Sequence, residues 1–156
     1  LQLPQGLIVT REYDRFIFSA RSASKEFSRD LPVPGSASIP EIEWEFSAGI
    51  APVPEQENYR WQARFDYDKI GPLLTLRSRR PGDWFQPAGM AGRSKKLQDY
   101  FVDEKVPRRK RDSVPLLCSG NDILWVVGLR TDERFLPGPE TKRVVVVTVF
   151  PSGVRS

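Results

Sequence analysis

The chain of 156 residues has no histidine and one cysteine, Cys118. The first absence removes the side chain most used as a general base and as a metal ligand. Ser-His-Asp and Cys-His devices are therefore impossible within the chain, and a zinc site has too few ligands. A lone cysteine excludes an internal disulfide, so nothing points to an oxidising compartment and a cytoplasmic location is expected. Neither a Walker loop nor a G-x-G-x-x-G run occurs, so the usual backbone cradles for nucleotide phosphates are missing. No apolar run approaches the ~18 residues of a membrane span, and no signal-peptide pattern opens the chain. These absences argue against a self-contained hydrolase or nucleotide-dependent enzyme. They predict no catalytic residue, metal or cofactor in this chain, and no membrane partner. The chain opens on Leu1 rather than Met and runs straight into "LQLPQGLIVT". It reads as a piece of a longer protein.

What is present is a core and an uneven charge. Hydrophobic residues make up 39% of the sequence, enough for one folded domain. The net charge is +4, but residues 72–111 hold eleven Lys/Arg against four Asp/Glu, a net of +7. The remainder holds thirteen basic and sixteen acidic residues, a net of −3. Such asymmetry suits a polyanionic partner, because basic groups that neutralise phosphates release condensed counterions. A solvated basic face with no partner is the competing reading.

Periodicity predicts mostly strands. "GLIVT" and "DRFIFS" read as a hairpin over residues 6–19. "RSASKEFSRDLPVPGSAS" reads as a loop with one extended piece and a turn at Pro34-Gly35. "EIEWEF" and "YRWQARFDYD" alternate with a period of two, as half-buried strands do. Paired as a hairpin, they would set Glu43 and Glu45 against Arg60 and Arg64. "PLLTLRSR" reads as a strand ended by a type II turn at "RPGD". "DWFQPAGMAGR" reads as a loop pinned by Trp84 and Phe85. A helix is expected from an N-cap at Ser94, with Leu97, Tyr100 and Phe101 on one face. Pro107 stops it or begins a second short one. "PLLCS" and "DILWVVGL" read as a hairpin across "GN". "RVVVVTVF" lacks alternation, which predicts a strand covered on both faces and more than two layers. The expected fold is α+β: a mostly antiparallel, sandwich-like core with a small helical insertion. Residues 1–70 form its strand-rich N-terminal part and residues 71–156 its basic core segment.

Three basic clusters fall within the insertion. "RSRRPGD" places Arg77 and Arg79 on one strand face beside Arg80, Gly82 and Asp83; guanidinium groups grip phosphate oxygens bidentately. "GRSKKLQDYF" places Lys95 and Lys96 in the first turn of the expected helix, where backbone N–H groups favour an anion. "VPRRKRD" contributes Arg108, Arg109 and Arg111. Each could be a solvated face, and their nearness in the chain is the argument for a shared role. The candidate phosphate-binding residues are Arg77, Arg79, Arg80, Lys95, Lys96, Arg108, Arg109 and Arg111.

Residues 72–136 also carry an ordered series: R-x-R-x-x-G-D-x-F, P-x-G-M, K-K-L-x-D-Y-F, P-x-x-x-R-D-x-x-P-L and W-V-x-G-L-R-x-D-E-R-F. This series strongly resembles the C-terminal domain of bacterial tRNA(Ile)-lysidine synthetases. "LPQGLIVTREYDRFIFS" and "LPVPGS" resemble the region before that domain more weakly. Arg77, Arg79, Gly82, Asp83, Pro87, Gly89, Met90, Lys96, Leu97, Asp99, Pro107, Arg111, Gly128 and Arg130 fall on family positions, of which Gly82, Asp83, Gly89 and Arg130 are expected to support the candidate tRNA-binding residues, while Trp84 stands where a basic residue is common. The resemblance implies an ATP-dependent ligase that attaches L-lysine to the wobble cytidine of isoleucine tRNA. ATP and lysine would be used by an N-terminal catalytic domain with an SGGxDS loop, which this sequence does not contain. It also implies a tRNA-binding module like one in the phenylalanyl-tRNA synthetase beta subunit, engaging the acceptor-stem side. Its own catalytic domain is an expected partner, and a homodimer is possible. The alternative is an interdomain or protein-docking module that makes no RNA contact.

Overall fold

Two antiparallel sheets account for most of the chain in the computed structural model, which describes residues 26–52 and 61–152. The first sheet has the order β1-β5-β8-β9-β10. Its strands are β1 (Ser28–Pro32), β5 (Leu73–Arg77), β8 (Leu116–Ser119), β9 (Asp122–Val126) and β10 (Arg130–Thr131). The second has the order β2-β3-β11-β4, built from β2 (Gly35–Ile39), β3 (Trp44–Pro52), β11 (Arg143–Pro151) and β4 (Gln62–Asp66). Both sheets draw strands from both halves of the sequence. A minimal hairpin pairs β6 (Trp84–Phe85) with β7 (Lys95–Lys96). Helices are few: α1 (Tyr67–Ile70), α2 (Leu97–Asp103) and 3-10 turns at Arg108–Ser113 and Glu133–Phe135.

The sheets bury one apolar cluster between them. Trp44, Phe46, Ala63, Phe65, Val145, Val147 and Val149 come from the four-stranded sheet, and Leu31, Leu74, Leu76, Leu117 and Trp125 from the five-stranded one. Alternation is the cause: each strand sends every second side chain to this face. A second cluster covers the other face of the five-stranded sheet. Leu116, Cys118, Ile123 and Val126 meet Phe85, Leu97, Tyr100, Phe101, Val106 and Val114 there. Phe85 and Tyr100 pack edge to face with centroids 5.0 Å apart. The insertion between β5 and β8 is thus a third layer, pinned by its own aromatic residues.

The expected α+β fold with antiparallel sheets is found, as are the strand at "PLLTLR", the "GN" hairpin, and a second short helical turn after Pro107. More than two layers exist, but the doubly covered strands are β8 and β9. β11 is instead the interior strand of its sheet, between β3 and β4. That placement also overturns the expected "EIEWEF"–"YRWQARFDYD" hairpin. Glu43 lies in a turn at φ +59°, with its N–H donating to the Pro40 carbonyl, so it faces no arginine across a ladder. The expected loop before β3 is two strands, one in each sheet, joined at Val33-Pro34. Gly35 is required at this crossing, because a Cβ there would stand 2.7 Å from Pro32. The expected hairpin over residues 6–19 lies outside the described residues, as does Arg60.

Candidate nucleic-acid interface

The site is built around a turn at the end of β5. Arg80-Pro81-Gly82-Asp83 closes with the Asp83 N–H donating to the Arg80 carbonyl at 3.2 Å. Gly82 has φ +85°, as the third position of a type II turn demands. A Cβ on Gly82 would meet nothing within 4 Å, so glycine serves the backbone angle and not the space. Asp83 turns inward and binds three donors. Arg77 Nη1 and Nη2 reach its two oxygens at 3.0 and 2.9 Å, and the Arg80 N–H donates at 2.7 Å.

Arg77 is therefore turned into the protein, its side chain 6% exposed against 11% for Asp83. Burial is the largest single effect and works against its charge, but the Asp83 hydrogen bonds, the Asp83 charge and the contact with Cys118 together outweigh it and hold the guanidinium above its ordinary value. The neighbouring Cys118 thiol is pushed up to about 11, chiefly by burial. It stays protonated and inert at neutral pH.

Lys95 and Lys96 do not open a helix. The two lysines form β7, and α2 begins only at Leu97. Ser94 is exposed and caps nothing; the residue before the helix is Lys96, which has no side-chain cap. The Leu97 N–H is taken by the Asp83 carbonyl at 2.9 Å, and both lysines precede the helix instead of lying in its first turn. Strand alternation decides the lysines' fates. Lys95, opposite the buried Phe85, is ion-paired with Asp103, while Lys96, opposite Trp84, is exposed. Phe85 pins this loop, whereas Trp84 remains 45% exposed.

Arg79 leaves the strand end and donates from Nε to Asp112 at 2.7 Å. This pair ties the basic 3-10 turn to the same region. In that turn Arg108 and Arg109 are exposed, Arg111 donates to the Val106 carbonyl at 3.0 Å, and Lys110 is buried. Between turn, hairpin and α2 opens a cleft of about 530 Å³. Arg79, Arg80 and Lys96 supply its cations; Glu26, Asp83 and Asp112 its carboxylates. Asp83 is committed to Arg77, and Asp112 to Arg79. No described residue forms an ion pair with Arg80 or Lys96. The structure thus brings three of the eight candidates to one cleft, sets Arg108, Arg109 and Arg111 on the adjoining turn, and engages Arg77 and Lys95 with carboxylates.

Of the supporting positions, Gly82 and Asp83 shape the turn, while Gly89 and Arg130 act on the loop after β6. Gly89 sits at φ +86°, and Arg130 Nη1 holds this loop by donating to the Ala88 carbonyl at 2.9 Å. Two further residues, Asp132 and Arg134, stand in the quoted R-x-D-E-R-F run but were not singled out by the sequence reading. Asp132, fully buried, accepts from the Gln86 N–H at 2.8 Å and from Arg134 Nε and Nη2 at 3.0 and 2.9 Å. The available signal was "TDER", an aspartate placed to bind the backbone N–H two residues on, as Asp132 does to Arg134 at 2.8 Å. Among the described residues, no group of three or more Cys, Asp or Glu is placed to hold a metal, and no helix is long and apolar enough to cross a membrane.

Fold and cleft define a two-sheet α+β domain whose helical insertion opens a cleft lined by Arg79, Arg80 and Lys96. Residues 74–148 match the family model of the TilS substrate C-terminal domain. A tRNA(Ile)-lysidine synthase of Symbiobacterium thermophilum is 40% identical over 164 residues, covering 96% of this chain and 33% of that protein. One of Caldanaerobacter subterraneus subsp. tengcongensis is 34% identical over 152 residues, covering 94% and 32%. A solved structure described as the crystal structure of the TILS C-terminal domain superposes with a TM-score of 0.72 at 25% identity, covering 83% of this chain and all of the other. Residues 74–148 of the chain belong to this family of C-terminal domains. The chain spans about a third of the length of these curated relatives.

Proposed function

We propose that the chain is the tRNA-binding part of a tRNA(Ile)-lysidine synthase. In this reading the whole protein is an ATP-dependent ligase that joins L-lysine to the wobble cytidine of isoleucine tRNA. ATP and lysine are used in a separate N-terminal catalytic domain, and this domain holds the tRNA from its acceptor-stem side. An accessory module of the phenylalanyl-tRNA synthetase beta subunit type fits the same division of labour.

The observation that carries the reading is the cleft with Arg80 and Lys96 on its wall, inside the family-matched segment. Arg80 and Lys96 meet phosphate oxygens directly. Arg79, oriented through Nε by Asp112, directs its remaining donors at a neighbouring phosphate. Arg77 acts indirectly, by fixing Asp83 and hence the turn that carries Arg80. Arg108, Arg109 and Arg111 extend the positive surface along the duplex. Such contacts set orientation and register rather than read bases, as suits recognition of a folded RNA by its shape and backbone.

Equilibrium titration of the chain with isoleucine tRNA tests the reading, with an acidic protein surface as the competing ligand class. Saturable tRNA binding that is weakened by Arg80→Ala supports it. Absence of tRNA binding at low salt favours the docking-module alternative.

A further inference from the structure

Trp84 is an expensive residue to leave in water, and an arginine stands against its exposed ring. Strand alternation drives Phe85 inward and leaves Trp84 on the outer face of the β6–β7 hairpin, directly opposite Lys96. The Arg134 guanidinium lies 4.9 Å from the Trp84 ring centroid and 5.0 Å from that of Phe135. Arg134 is in turn clamped. Nε and Nη2 bond the buried Asp132, and Nη1 stands 3.7 Å from Asp122. An exposed indole is thus backed by a fixed cationic plate, which lowers the entropy lost when a ligand meets it.

The chemistry of that ligand follows from the neighbours. Lys96 lines the cleft beside Arg79 and Arg80, and a directly opposed cross-strand pair has Cβ atoms about 5 Å apart. A phosphate bound at Lys96 therefore has its own base within reach of Trp84. We propose that Trp84 is a stacking platform for one unpaired RNA base, at the point where a duplex held in the cleft ends or opens. This rests on the tRNA-binding reading and adds a subsite to it. The site offers a π-face with few directional donors, so it accepts any base. Trp84 as a mere cover for the Arg134–Asp132 pair is the competing explanation, and it predicts a change in stability without one in RNA preference.

Tryptophan fluorescence separates the two. Trp44, Trp61 and Trp125 are at most 3% exposed, so quenching by an added ligand reports Trp84. The probes are two RNA hairpins with the same stem, one blunt and one with a four-nucleotide single-stranded 3′ extension. The extended hairpin is expected to quench the emission and to bind about tenfold more tightly than the blunt one, a typical effect of one base–aromatic stack. Trp84→Leu should abolish that preference, and Trp84→Phe should keep most of it. Equal affinity of the wild-type chain for the two hairpins overturns the proposal without requiring any variant to fold. Persistence of the preference in Trp84→Leu overturns it as well. If neither hairpin binds at low salt, the tRNA-binding reading itself falls; if both bind equally and Arg80→Ala weakens both, only the stacking subsite falls.

Discussion

Arg77 and Asp83 join their side chains through two parallel hydrogen bonds at the end of β5, and Asp83 also receives the Arg80 N–H. One carboxylate thereby neutralises a buried cation and aims an exposed one. Removing either member strands the other in a low-dielectric setting. Arg77→Ala and Asp83→Ala should each destabilise the domain by about 3 kcal/mol. Urea melts of both variants check this. A loss below about 0.5 kcal/mol would mean that the pair is solvated and that Arg77 is available to a ligand.

Arg80 and Lys96 should behave in the opposite way. Their alanine variants are expected to melt within about 0.5 kcal/mol of the wild type, as exposed positions do. Each should bind tRNA more weakly and lower the slope of log affinity against log salt by about one. Unfolding of either variant would assign it to the fold. Arg79→Ala should also weaken binding, with only a small stability change from its exposed pair with Asp112.

Gly82 isolates the role of the turn. At φ +85° with open space around the missing Cβ, Gly82→Ala costs backbone strain alone, about 1–2 kcal/mol. Because the strain falls on the turn that carries Arg80, tRNA affinity should drop further than in Gly120→Ala, a hairpin glycine remote in sequence from the cleft. Equal affinities in the two variants would separate the turn from binding.

Much of the fold was legible because alternation reports burial directly. Trp44 and Phe46, and likewise Ala63 and Phe65, bury the sides that their period of two predicted. Strand partners were not legible. β3 and β4 carry complementary charges and lie near each other in sequence, yet β11 enters between them from the far end of the chain. A local sequence pattern contains no term for that insertion. The site divides similarly. Its basic character could be read from charge counts, but which cations stay exposed depends on pairings. Arg77 is drawn in by Asp83, six residues on, and Lys95 by Asp103. Ser94 resembled an N-cap because cap chemistry is local, whereas the pairing of Lys95-Lys96 with Trp84-Phe85 is not.

Cys118 links the core to pH. Its thiol is held near 11 in the folded chain, against an ordinary value of 9.0, so the folded state retains the proton more tightly than the unfolded one. That contribution is intact below pH 9 and is lost as pH rises toward 11, on the order of 2 kcal/mol in all. Urea melts of the wild type and Cys118→Ala between pH 8 and 11 check this, with the gap between them shrinking as pH rises. A thiol reagent at pH 8 should label Cys118 only on unfolding; rapid labelling of the folded chain would contradict its burial.

The central claim is that this domain grips the phosphate backbone of tRNA through the cleft of Arg79, Arg80 and Lys96. The most direct measurement is tRNA affinity of the wild-type chain and of Arg80→Ala/Lys96→Ala across a salt series. The account predicts a steep, linear fall of log affinity with log salt for the wild type, and a slope shallower by about two in the double variant. Identical slopes for the two proteins, or affinity indifferent to salt, would contradict it.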